Sequence, residues 1–168
     1  MKVYTAVEEL QKNIRLSNVV WIDEKFIRVN KCELVVKNNG LNYRGVSRNQ
    51  VCIACATDIF GNRFTIVAGN GHITSKQCID TYGKHIEKGT TIIHDGIFSH
   101  AKLITYLNAK SIVYKSIGIQ AHKGLQKINS FLAEIEHFIV VHPGIRTEYL
   151  QKYMSWIAFK STIKADNM

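Results

Sequence analysis

Two aspartates occupy positions where a carboxylate is costly. Asp23 lies inside Val19-Val20-Trp21-Ile22-Asp23-Glu24, a run of strong strand character, and Asp95 ends Thr91-Ile92-Ile93-His94-Asp95-Gly96. A carboxylate within or at the tip of an apolar strand needs a cation or donors to offset its desolvation. If the two strands are parallel neighbours, both side chains enter one pocket and repel, and a divalent metal is the usual resolution. Position alone also admits two ordinary turn or strand-end aspartates. Glu24 follows Asp23 on the strand and is expected to face the opposite side.

A third ligand would come from a helix crossing this pocket. The segment from Leu125 to Glu136 offers Asn129, Glu134 and Glu136. On an ideal helix Glu136 projects about 20° from Asn129, whereas Glu134 is about 140° away. Asn129 and Glu136 thus share a face but stand roughly 10 Å apart along the axis, too far to hold one ion. Cys52 and Cys55 form a CxxC pair, yet they sit in a strand-like run, Gln50 to Asp58, where residues three apart face opposite sides. They cannot grip one metal, and with Cys32 and Cys78 they read as small buried hydrophobes. Seven histidines show no HxH or HxxxH spacing; His94 adjoins Asp95 and His100 follows it closely. There is neither a nucleophile elbow nor a glycine-rich phosphate loop.

The elements that must position these residues are short. A helical lead-in covers residues 1–17, and 17–30 is a strand rich in β-branched and aromatic residues. Residues 31–47, with Asn38-Asn39-Gly40, read as a loop or small hairpin. Residues 50–58 and 63–68, joined through Gly61-Asn62, carry a hairpin signature. Thr74 or Ser75 caps a helix expected to reach about Glu87. A strand over 90–94, a helix over 99–107, a strand over 110–116 and helices over 125–140 and 147–163 follow. Three antiparallel strands followed by alternating helices and strands imply an α/β fold: a five-stranded mixed sheet covered by helices on both faces.

At 168 residues the chain has room for one domain, and its 46% hydrophobic content and single proline exclude a disordered or linker-rich protein. No apolar run approaches the roughly 18 residues of a membrane span, and the N-terminus lacks the apolar core of a signal peptide. A cytoplasmic protein is therefore expected. Twenty-two Lys and Arg against thirteen Asp and Glu give a charge of +9, which favours a polyanionic partner, nucleic acid before membrane. No block of five basic residues occurs, so the charge is spread over a folded surface.

Taken in order, these segments resemble the catalytic domain of bacterial insertion-sequence DDE-type transposases, in the ISXO-like class whose third acidic position is often asparagine. The resemblance rests on Val20 to Phe26, Arg44 to Cys52, Ile93 to Gly96, Ile128 to Ser130, and Gly144 to Leu150 with Tyr153 and Trp156. It implies a ribonuclease-H-like fold over residues 18–163, after the lead-in of 1–17. It further implies Asp23, Asp95 and Asn129 as the catalytic, metal-binding set for two Mg²⁺ or Mn²⁺ ions about 3.5–4 Å apart. The implied chemistry is cleavage and strand transfer of double-stranded DNA by a homo-oligomer, with the protein nucleoid-associated when DNA is bound.

Lys25, Arg28, Arg44, Arg48, Lys102 and Lys123 are the candidate phosphate contacts. Family members tend to carry histidine and lysine three and seven residues after the asparagine, where this chain has Leu132 and Glu136. They also carry an N-terminal zinc ribbon and helix-turn-helix, so the resemblance implies a truncated copy or a separately encoded catalytic half. The other classes open at this level are a DNA-binding remnant without catalysis and a nuclease or resolvase of the same fold.

Overall fold

The computed structural model describes residues 2–28, 34–41, 43, 45–115 and 123–166. Arg44, Cys32 and His122 lie outside the described residues. Among the described residues, ten elements follow one another. Helix α1 (Lys2–Asn13) precedes β1 (Val19–Arg28), β2 (Gln50–Asp58) and β3 (Arg63–Asn70). Then come α2 (Ser75–Tyr82), β4 (Thr91–His94), α3 (Ser99–Leu107), β5 (Lys110–Val113), α4 (Gln126–Val141) and α5 (Thr147–Asp166).

The five strands form one mixed sheet in the order β3-β2-β1-β4-β5. β1 pairs antiparallel with β2, with Asp23 opposite Cys55, and parallel with β4, with Trp21 opposite Ile93. The β2–β3 hairpin turns on Asp58, whose buried carboxylate accepts the N–H groups of Phe60 and Asn62 and the Asn62 side-chain amide. Three donors make up for the water that this carboxylate loses.

Strand periodicity sorts the core into two layers. Val20, Ile22, Cys52, Ala54, Ala56 and Ile92 pack with Tyr82, Leu103 and Leu107 of α2 and α3. Val51, Ile53, Cys55 and Ile93 pack with Ile128, Phe131, Ile135 and Met154 of α4 and α5. Helices therefore cover both faces, as the element order implied. Cys52 and Cys55 join opposite layers, as their spacing requires, and neither can share an ion with the other. Helix α1 leans on α5, where Tyr4 meets the edges of Tyr153 and Trp156 at 5.5 and 5.6 Å.

Several boundaries differ from expectation: α1 ends at Asn13 and not near residue 17, β3 runs on to Asn70, and α2 and β5 are shorter. Helix α2 is capped by Thr74, with Gln77 completing a capping box, but it stops at Tyr82 instead of continuing to Glu87. The reason is tertiary. Leu16 donates its N–H to His85 and accepts that of Glu87, drawing this segment out of the helix into a parallel bridge with Ile86. Strand β5 ends at Val113, short of the expected 116, and its four residues are all exposed.

Candidate functional site

Asp23 and Asp95 each lie two residues beyond the paired Trp21 and Ile93, on adjacent parallel strands. The period of two puts Trp21, Asp23 and Lys25 on the sheet face that α4 covers. Two polar contacts fix α4 along β1: Trp21 Nε1 donates to the Gly124 carbonyl at 2.9 Å, and Lys25 pairs with Glu136 at 2.8 Å. Asp23, midway between Trp21 and Lys25, thus lies opposite the stretch of helix that carries Asn129 and Leu132. Asn129 is half-buried, and none of the described residues hydrogen-bonds its side chain.

The local chain geometry directs both carboxylates. Gly96 adopts φ +90°, a conformation L side chains rarely take, and a Cβ there would come within 2.8 Å of Val113. The tight turn lets Asp95 Oδ1 accept the Ile97 N–H at 3.1 Å. Asp23 Oδ1 accepts the Glu24 N–H at 2.8 Å.

Burial pushes the Asp23 carboxyl up to about 7, and the charges of Asp95 and Glu24 push it the same way. The Glu24 N–H and His100 act against them, without offsetting the burial. Asp23 is therefore a carboxylate held next to a second one without a matching cation from the protein. Two such oxygen donors, with the uncommitted amide of Asn129 on the covering helix, fit a hard divalent ion of the Mg²⁺ type.

The remaining candidates separate. Glu134 turns to Arg63, at 2.8 Å, and to the Ser161 hydroxyl, away from Asp23. Glu136 is held by Lys25. Lys123 lines an open groove with Trp21, Gly124, Lys127 and Ser130, and the Lys127 ammonium sits 5.2 Å over the Trp21 ring. Lys102 belongs to α3 and so to the opposite layer of the molecule, which removes it from the Asp23 face. Arg28 and Arg48 are exposed.

A polar cluster that sequence reading passed over lies behind the two aspartates. Glu24 points away from Asp23, as alternation demands, into the α2–α3 layer. There its Oε1 receives the Tyr82 hydroxyl at 3.1 Å and His100 Nε2 at 2.9 Å. His100 Nδ1 meets His94 Nδ1 at 3.2 Å, and His94 Nε2 meets the Ser111 hydroxyl at 3.0 Å. Burial, followed by the charge of His100, lowers His94 to about 4. The only sequence signal was a histidine at each end of His94-Asp95-x4-His100, a spacing outside the familiar ligand patterns.

The pattern of the ISXO2-like transposase domain matches residues 15–162. A search of curated protein sequences finds no match. Among solved structures, the chain is similar to one in the cryo-EM structure of the simian T-cell lymphotropic virus intasome in complex with PP2A regulatory subunit B56 gamma. The TM-score is 0.54 at 10% identity, covering 86% of this chain and 49% of that one. The chain thus spans about half the length of that structural relative, and the likeness is one of fold: a five-stranded mixed sheet with helices on both faces. With the family pattern running from the residues before β1 into α5, the chain belongs to the ISXO2-like transposase domain family.

Proposed function

We propose that this chain is the catalytic part, residues 18–163, of an insertion-sequence transposase that cleaves DNA and transfers the cut strand with Mg²⁺ or Mn²⁺. The supporting observation is the partly buried, charge-uncompensated Asp23 on β1 beside Asp95, which directly follows the parallel neighbour β4. Asp23 and Asp95 would hold the metal, and Asn129 would add a neutral oxygen from α4. Bound there, the ions supply a deprotonated water or 3′-hydroxyl nucleophile and neutralise charge developing on the phosphodiester. The chain's own residues orient the carboxylates: Gly96 sets the turn, and the N–H groups of Ile97 and Glu24 each hold one oxygen. Lys123 and Lys127, beside Trp21, offer cationic groups to a DNA backbone along the same face. The active form in this reading is a homo-oligomer on DNA.

A second reading, DNA binding without cleavage, draws on Leu132 and Glu136 standing where the family carries histidine and lysine. One experiment separates the two. Wild type, Asp23→Asn and Asp95→Asn are assayed with pre-nicked and intact element-end duplexes in Mg²⁺ and Mn²⁺, alongside salt-dependent DNA binding. Catalysis is expected in the wild type alone, with affinity for DNA retained in all three. Binding without product in the wild type supports the second reading, and cleavage that survives both substitutions removes the assignment.

A further inference from the structure

The His94–His100 pair sets two ring nitrogens face to face beside a carboxylate. Glu24 is an acceptor, so His100 Nε2 carries a hydrogen toward Glu24 Oε1, 2.9 Å away. The Gly96 N–H points at His94 Nδ1 from 3.1 Å, so that nitrogen carries a lone pair and its ring hydrogen faces the Ser111 hydroxyl. The two Nδ1 atoms lie 3.2 Å apart, a gap bridged by a second proton on His100 or, with both rings neutral, by a cation. Asp95 Oδ1 approaches the same point, 4.0 Å from His100 Nδ1. Three potential ligand atoms converge there, and those of His94, Asp95 and His100 all lie within 4.8 Å of one another.

These distances suit a tetrahedral zinc-class ion. Zn–N bonds of about 2.05 Å set ligating nitrogens roughly 3.3 Å apart, close to the separation seen. Each imidazole is also backed as a ligand requires, with its far nitrogen donating to a carboxylate or hydroxyl that fixes the tautomer. His100 is wholly buried and His94 nearly so. Glu24 Oε2 and Ser99 Oγ are buried without partners, and Asp95 keeps 22% of its side chain exposed, so the cluster meets solvent at that residue.

We propose that His94, Asp95 and His100 form a second metal site, taking one borderline-soft divalent ion of the Zn²⁺ class through two imidazole nitrogens and one carboxylate oxygen. It shares Asp95 with the Asp23 pocket but draws its two imidazoles from the side of the sheet that α2 and α3 cover. The ion clips the end of β4 to the first turn of α3 and holds Asp95 from behind; the Gly96 N–H gives up His94 Nδ1 when it binds. The open fourth position takes water from the side where Asp95 is exposed.

The test is a Co²⁺ titration of the chelator-treated full chain in excess Mg²⁺, read by visible absorption, with Zn²⁺ as competitor. One equivalent is expected to bind more tightly than roughly 10 μM, with four-coordinate nitrogen–oxygen bands and no thiolate charge transfer. Asp23→Asn leaves this binding intact, which separates the proposal from the function of the Asp23 pocket. His94→Gln abolishes it, and Ser111→Ala, at an exposed position that folding tolerates, weakens it about 10-fold. Absence of stoichiometric binding in the wild type overturns the proposal, as does loss of the site in Asp23→Asn. So does unchanged affinity in Ser111→Ala, which decides the matter even if the His94 variant fails to fold.

Discussion

Lys25 of β1 and Glu136 of α4, 111 residues apart, are joined at 2.8 Å across the sheet face that carries Asp23. The pair closes one end of the pocket and fixes the helix that bears Asn129. It also accounts for an acidic residue where the family tends to place lysine: the cation comes from the strand, and the helix supplies its anchor. The side chains are 25% and 62% exposed, so solvent screens them and the pair contributes little to stability. A double-mutant cycle of Lys25→Ala and Glu136→Ala is expected to give only a small coupling at low salt, vanishing in 1 M NaCl. Urea titrations measure it. Lys25→Ala is also expected to weaken DNA binding and reduce the logarithmic salt slope by about one.

Asp23 has a pH signature. Its folded carboxyl is raised to about 7 from an unfolded value of 3.8. The protonated form is the one that the metal-free fold favours, so its stabilising contribution is complete below pH 3.8 and is lost as pH rises through 7. Asp23→Asn keeps the oxygen that accepts the Glu24 N–H while removing the charge. In chelator, the variant is expected to be more stable than wild type by about 1–3 kcal/mol at pH 8 and nearly equal to it at pH 4. Saturating Mg²⁺ reverses the order at pH 8, since binding to the folded wild type adds about 2.7 kcal/mol at a hundred times the dissociation constant. Chemical denaturation at the two pH values, with and without metal, measures all four stabilities.

Tyr82 holds the buried Glu24 in place. Its hydroxyl lies within 3.3 Å of Glu24 Oε1 and of the Asp23 and Cys55 carbonyls, in a fully buried setting. Tyr82→Phe changes little volume but removes a donor from a carboxylate whose other oxygen already lacks a partner. A loss of about 1–3 kcal/mol follows, measurable by urea denaturation. An unchanged midpoint would show that water takes over the hydroxyl's role.

The three described cysteines are inert in the native protein. Burial pushes Cys52 and Cys78 up to about 12 and raises Cys55 as well, so none offers a thiolate at neutral pH. Native protein treated with a chromogenic disulfide should therefore release at most one equivalent rapidly, because three of the four thiols react only after unfolding. Rapid release of two or more native equivalents would contradict this burial.

The two layers of the core also differ in what a cavity does. Leu103→Ala empties the α2–α3 layer, and Ile128→Ala empties the layer beneath α4. Each is expected to cost about 2–5 kcal/mol. The second also loosens the helix that presents Asn129, so its DNA cleavage should fall further than that of Leu103→Ala at equal stability. Parallel stability and cleavage measurements test the difference.

What the sequence determined by itself was local. A period of two in Val20-Trp21-Ile22-Asp23-Glu24-Lys25 separates Asp23 from Glu24, and the apolar spacing of Ile128, Phe131 and Ile135 sets the buried face of α4. The Asp58 hairpin and the helix after Thr74 are coded by neighbours a few residues apart. Tertiary structure decided the rest, because pairing between distant segments follows from how whole layers fill the core. It set β1 beside β4 and so brought Asp23 near Asp95, and it ended α2 at Tyr82 by drawing residues 85–87 onto Leu16. It also placed His100 against Glu24, 76 residues away, and joined Lys25 to Glu136. A buried carboxylate must find its donors wherever the packed layers present them, and sequence spacing holds no record of that choice.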